Sequence, residues 1–342
     1  MKHSFNLFFV FLGILGTLTS QAQTDHFSRK KFFSDSSTVD VNIVCNMGRL
    51  FRSNPQGFTV PATLSMKLPD GSSISSQVQL EIRGHMRHDY CYVPPLKVTF
   101  EKNAALGSLK SLKLVNECKV SQTYDQYLLK EYVCYKIYNL ISDMSFRARL
   151  LNVTFTDSSG KKKPLTEHGF LLEDIKDVAK RNDCELYRKS ELQTEQTNRR
   201  QMTVVAIFEY LIGNTDWAVP VNHNTKLIYL PKDSANKPFV VPYDFDYAGI
   251  VNTEYAVPDE RLDIENVRQR LYRGYPRTMV ELNDVLEVFK AKKAEIYDMV
   301  KNLKELTPKS KNDITSYLDD FYKSINKQGD IKSIFIDNAR RE

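Results

Sequence analysis

The chain of 342 residues has no CxxC pair and no Cys/His spacing suited to a structural metal, which excludes the small zinc-stabilised folds. It has no GxGxxG loop of the kind that cradles nucleotide phosphates; only Gly48, Gly57 and Gly84 lie near the first strand-like segments. Beyond residues 5–18, no apolar run approaches the ~18 residues that a membrane helix needs. Charge of one sign is never concentrated. The 48 basic and 42 acidic side chains leave a net charge of +6 spread along the sequence, and nucleic acids or anionic membranes call for clustered Lys and Arg. No internal repeat is visible, so a solenoid or propeller is not expected.

What is present begins at the N-terminus. Met1-Lys2-His3 is basic, residues 5–18 are almost wholly apolar, and Ser20-Gln21-Ala22 offers a small-x-small cleavage site. Residues 1–22 therefore read as a Sec-type secretory signal, with no Cys at the cleavage point to take a lipid anchor. The expectation is an exported protein, periplasmic or extracellular, with no transmembrane segment in the mature chain. Such a compartment permits disulfides. The five Cys are odd in number, so at least one thiol stays unpaired. Cys91 and Cys118 bracket adjacent strand-like runs and are expected to pair, whereas Cys134 sits in a helical pattern as a small hydrophobe.

Residues 23–40 are polar and Ser-rich and read as a flexible lead-in. Period-two alternation then marks strands at 41–45, 57–67, 75–83, 95–100 and 112–115, with a turn at Leu68-Pro69-Asp70-Gly71. Helical spacing marks 127–142. Strands follow at 148–156 and 169–172, and residues 176–200 lack clear periodicity. The second half is helical at 202–212, 279–303 and 314–325, broken by short strands at 226–230 and 239–241. Strands dominate the first half and helices the second. The expected class is α+β in two lobes, a strand-rich N-terminal lobe over 41–175 and a helix-rich C-terminal lobe over 176–342.

Two acidic motifs stand 28 residues apart: Gly213-Asn214-Thr215-Asp216-Trp217, followed by His223-Asn224, and Val241-Pro242-Tyr243-Asp244-Phe245-Asp246. The order is helix, Asp loop with an Asn, hairpin, then Asp at a strand end. Protein kinases use that order: one Asp orients the acceptor hydroxyl, and an Asn and a second Asp hold magnesium on ATP. The departures are plain. Asn222 follows Asp216 by six residues and Asn224 by eight, rather than five; no HRD precedes Asp216, and Asp-Phe-Asp stands in place of Asp-Phe-Gly.

Further runs extend the likeness. Arg83-Gly84-His85, Pro95-Leu96-Lys97-Val98-Thr99-Phe100, Leu112-Lys113-Leu114 and Gly169-Phe170-Leu171-Leu172-Glu173-Asp174-Ile175 precede the Asn224 strand and the Asp244 motif. Together, over roughly residues 80–250, they resemble the CotH family of spore-coat kinases. The resemblance implies a divergent two-lobed protein-kinase-like fold that binds ATP with Mg²⁺ (or Mn²⁺) and phosphorylates proteins. It makes Asp216 the catalytic residue. Asn224 and Asp244 become metal ligands, with Asp246 as a further one. Lys97 pairs with the phosphates, with Lys113 as its rival. Glu131, on the helix embedded among the strands, pairs with the phosphate-binding Lys, and Glu173 ends the strand where the linker meets adenine.

The leading expectation is thus an exported CotH-like kinase that transfers the ATP γ-phosphate to a hydroxyl on a protein substrate. Two others stand beside it: a catalytically inactive kinase-like scaffold of the cell surface, and a surface structural protein without a nucleotide site. Retention of Asp216, Asn224 and Asp244 together favours the first.

Overall fold

The computed structural model describes residues 28–52, 55–67, 71–84, 90–188, 192–232, 235 and 237–340. The expected signal segment, most of the turn at 68–71, and His85 lie outside the described residues.

Seven strands carry the first half: β1 (Val39–Cys45), β2 (Thr59–Lys67), β3 (Ser73–Ile82), β4 (Leu96–Phe100), β5 (Ser111–Asn116), β6 (Ala148–Asp157) and β7 (Leu165–Leu172). Their order is β1-β2-β3-β4-β5-β7-β6, and the sheet closes on itself. All neighbours run antiparallel except β1 and β6, which pair in parallel from Val39↔Leu151 to Cys45↔Asp157. Period-two alternation sends Val41, Ile43, Leu64, Leu80, Val98 and Leu112 into the interior, where they are buried.

The expected two-lobed kinase-like fold is therefore wrong: the chain forms a closed seven-stranded mixed β-barrel with helices packed on it. Local alternation reveals strands, but not that the first and sixth strands meet edge to edge across more than 100 residues. Closure also removes the open edges a sheet must otherwise protect. The core argues the same way. The outer faces of β5, β6 and β7 contribute Val115, Leu150, Phe170 and Leu172 to one continuous apolar cluster with the helices.

The helix that links β5 to β6, α3 (Gln122–Ile141), lies at that junction. It follows two short helices, α1 (Arg29–Ser34) and α2 (Met47–Leu50). Helix α1 falls in the stretch expected to be a flexible lead-in: Ser28 caps it, Phe32 and Phe33 are buried, and Arg149 binds Asp35 just beyond it at 3.0 Å. On α3, Tyr132 and Tyr135 pack on Phe170 of β7, Tyr135 also on Phe245, and Tyr138 on Phe208. The region after β7, where the sequence shows no clear periodicity, holds α4 (Ile175–Arg181) and the short strand β8 (Glu185–Leu186). Asp174 caps α4 by accepting the Lys176 N–H at 2.8 Å, a local signal that outweighs weak periodicity.

Helix α5 (Arg199–Ile212) leads into the first acidic motif. Strands β9 (Thr225–Tyr229) and β10 (Phe239–Pro242) form a three-stranded antiparallel sheet with β8. Helices α6 (Met279–Asn302), α7 (Pro308–Ser324) and α8 (Gln328–Lys332) complete the core, with Thr278 and Glu281 forming a reciprocal cap on α6. Among the described residues, no helix is long and apolar enough to cross a membrane.

Cys91 and Cys118 are bonded, as their placement beside adjacent strands implied. Cys45, Cys134 and Cys184 are buried thiols. The bridge closes a loop of 27 residues, which in the chain-entropy account stabilises the fold by about 3.5 kcal/mol. The paired substitution Cys91→Ser/Cys118→Ser should lower the free energy of chemical unfolding by about that amount. A change below about 0.5 kcal/mol would show that the bridge constrains nothing the fold does not already hold.

Candidate functional site

The site is built where α5 ends. Gly213 takes a left-handed backbone (φ 70°) as the C-cap, and a Cβ there would collide with the Tyr317 hydroxyl, so only glycine fits. The chain turns at once. The Asn214 side chain accepts the Asp216 N–H at 3.0 Å, which sets the direction of the Asp216 side chain. Arg273 then holds the far side of the loop, donating to the backbone carbonyls of Thr215 and Trp217. Ala218 and His223 bridge as an antiparallel pair, folding residues 218–223 into a tight loop.

Asn224 joins the two acidic motifs. Its side-chain amide donates to the Asp216 carbonyl at 2.7 Å and to Asp216 Oδ2 at 2.9 Å. Its own carbonyl accepts the Tyr243 N–H at 3.0 Å, one residue before Asp244. His223 Nε2 donates to the other Asp216 oxygen, Oδ1, at 2.7 Å. The structure thus brings Asp216, Asn224 and Tyr243-Asp244 together through one residue. Asn222, Asn224 and Asp244 all adopt positive φ (53°, 50° and 69°). Asn and Asp tolerate this conformation better than other side chains, and such strain concentrates at functional sites.

Asp244 follows β10, and its N–H donates to the Tyr135 hydroxyl of α3 at 2.9 Å. Among the described residues its carboxylate has no hydrogen bond or ion pair. Nearby, Lys113 of β5 and Lys226 of β9 both lie over the Tyr243 ring, at 4.8 and 5.2 Å. Neither ammonium forms an ion pair among the described residues. A cavity of about 250 Å³ opens beside them, walled by Leu112, Phe146, Leu172, Ile175 and Tyr243. Burial holds the Lys113 amine down at about 8, helped by the charges of Arg83 and Lys226 and opposed by Asp244 and Asp174.

Other expected residues fall differently. Lys97 borders the cavity but is spent on a cross-strand ion pair with Glu81 at 2.5 Å; Lys113, its register neighbour, is the one left to face an anion. Glu173 ends β7 and borders the cavity, yet its carboxylate binds Arg181 at 3.2 Å and the Arg147 N–H at 3.0 Å. Glu131 is buried on α3 and lines, with Asp246, a second and much smaller cavity. Asp246 Oδ2 accepts from the Tyr255 hydroxyl at 3.0 Å, so its carboxylate is partly committed.

Lys226, His223 and Tyr135 were not singled out in the sequence as site residues. Lys226 and His223 lie beside Asn224 in sequence, whereas Tyr135 arrives from 109 residues away. Elsewhere, Glu117, Asp125 and His168 place ligand atoms within 4.8 Å of one another, but they bond among themselves: His168 Nδ1 to Asp125 at 2.5 Å, and the His168 N–H to Glu117 at 3.2 Å.

The chain matches no family model, and no curated protein matches it.

The Lys113 amine should lose its proton near pH 8, against 10.5 for an ordinary lysine, because the folded state disfavours its charge. The sign follows: stability rises as pH increases from about 8 to 10.5, where the unfolded chain still binds the proton and the folded one does not. Amine labelling read peptide by peptide should give Lys113 a rate midpoint near pH 8. A profile matching the exposed lysines would contradict this account of the cavity.

Proposed function

We propose that the chain is an exported, ATP- and Mg²⁺-dependent phosphotransferase that acts on a hydroxyl of a protein substrate. One observation carries the reading. Lys113 and Lys226, neither in an ion pair among the described residues, line a cavity with Tyr243, one residue before Asp244, whose carboxylate has no partner among the described residues and whose charge acts on Lys113. Unpaired cations next to an unpaired carboxylate are what a metal-bound polyphosphate requires. The likeness of the acidic motifs to those of CotH kinases adds to it, and the Cys91–Cys118 bridge favours an oxidising compartment.

The donor set suits a hard divalent cation. Asp244 supplies carboxylate oxygens, and Asn224 has an amide oxygen to give, because its Nδ2 is turned toward Asp216. Asp246 suits less well, since Tyr255 already donates to it. When bound, the cation neutralises phosphate charge. The remaining roles belong to the chain. Lys113 and Lys226 grip phosphate oxygens, and the apolar wall takes the base. Asp216, held by Asn224 and His223, orients the acceptor hydroxyl and takes its proton. As the new P–O bond forms, the bond to the leaving ADP breaks. His223, bonded to Asp216 Oδ1, helps to fix the orientation of that carboxylate.

A second reading is a nucleotide-binding scaffold without transfer. Its support is that both Asp216 oxygens already accept hydrogen bonds inside the chain, from His223 and Asn224.

Thermal unfolding with ATP and Mg²⁺ at 100 times Kd should show about 2.7 kcal/mol of added stability. Asp244→Asn should remove most of the metal-dependent part, because a carboxylate is the stronger ligand for a hard cation. Asp216→Asn should keep binding and lower transfer, its role being confined to the transition state. Binding without transfer in the wild type would select the scaffold. Identical behaviour of the wild type and both variants would overturn the site.

A further inference from the structure

Glu209, in the last turn of α5, has no part in the chemistry above, yet it is only 1% exposed and lies five residues before Asn214. It grips Asn214 twice. Its backbone carbonyl accepts the Asn214 N–H at 2.8 Å, and its Oε2 accepts from Asn214 Nδ2 at 2.9 Å. Asn214, also 1% exposed, passes the constraint on: its Oδ1 accepts the Asp216 N–H. An amide has one donor end and one acceptor end, so fixing Nδ2 on Glu209 fixes Oδ1 on Asp216.

We infer that Glu209 is a positioning residue for Asp216, its buried carboxyl group orienting the Asn214 amide and through it the Asp216 loop. The inference rests on the phosphotransfer reading only for its activity readout. The surroundings of Glu209 favour its neutral form. Oε1 is buried without a hydrogen-bond partner. Cys134 and Tyr138 of α3 lie within electrostatic reach of the group, Asp216 adds like charge, and the Asn214 hydrogen bond and the Arg273 charge oppose. Burial, the largest of these effects, raises the carboxyl to about 8. A second carboxylate in the core beside Asp216 would repel the very charge that must accept the hydroxyl proton. Holding the proton on Glu209 avoids that conflict at neutral pH.

The test compares the wild type with Glu209→Gln and Glu209→Leu in the full chain. Gln keeps a neutral acceptor for Asn214; Leu fills the space and removes it. Three readouts are used. Amide exchange at Asp216 should be slow in the wild type and Gln and faster in Leu. Wild-type stability should fall as pH rises from 4.5 to about 8, because the folded state retains a proton that the unfolded state releases; Gln should lack this fall. Transfer should drop in Leu by about 100-fold in kcat with the KM for ATP little changed, the scale of a loop misplaced by about 1 Å, and Gln should restore it.

Asp216 exchange that is the same in all three proteins would overturn the relay. So would a Gln variant with the wild-type pH profile. Should Leu fail to fold, the comparison of Gln with the wild type still decides. Should the wild type transfer no phosphate, the phosphotransfer reading falls, while exchange and the pH profile still judge Glu209.

Discussion

The hydrogen bonds of Asn224 are the constraint on which the site depends. One side chain holds both the backbone carbonyl and the carboxylate of Asp216, and the same residue's carbonyl holds the chain one step before Asp244. The geometry works only because Asn222, Asn224 and Asp244 accept left-handed backbones. Each such residue costs of order 1 kcal/mol or more relative to an unstrained conformation. The surrounding core offsets that: Phe245, Val241 and Ile228 are fully buried around the loop, and Tyr135 reaches from α3 to hold the Asp244 N–H. A fold that stabilises strain in one small region usually does so where the backbone must present a group to a ligand.

The barrel contributes in a different way. It supplies a rigid wall, and from β5 it places Lys113 where burial depresses its charge and where no ion pair forms among the described residues. Helix α3 ties the wall to the acidic loops, because Tyr135 touches Phe170 of the barrel on one side and Phe245 on the other. Displacing α3 would therefore move the lysine and the carboxylates relative to one another. That makes the half-buried pair of Lys130 with Asp313 of α7, at 2.5 Å, part of the scaffolding of the site although it lies outside it.

Sequence reasoning reached the parts of this arrangement that local rules control. Alternation found the strands of the barrel wall, helical spacing found α3, α5, α6 and α7, and the order of motifs brought Asp216, Asn224 and Asp244 forward as a group. It missed what depends on distant pairing. The parallel contact of β1 with β6 has no local signature, so a closed barrel was mistaken for one lobe of two. The resemblance made Lys97 the phosphate ligand, with Lys113 as its rival; in the structure Lys97 pairs with Glu81, the residue opposite it, and register is not visible in a single strand. Glu209 carries no local signal of a role; only the return of Asn214 onto it shows its use.

Asp244, Asn224 and Lys113 are proposed to form one metal–phosphate site. Crystals of the protein with Mn²⁺ and a non-hydrolysable ATP analogue would test it most directly, by anomalous scattering from the metal. The account predicts a manganese peak bonded to the Asp244 carboxylate and the Asn224 amide oxygen, with phosphate oxygens reaching Lys113 and the base against Leu172 and Phe146. A manganese peak at Glu117, Asp125 and His168 instead, with no nucleotide in the cavity, would contradict it.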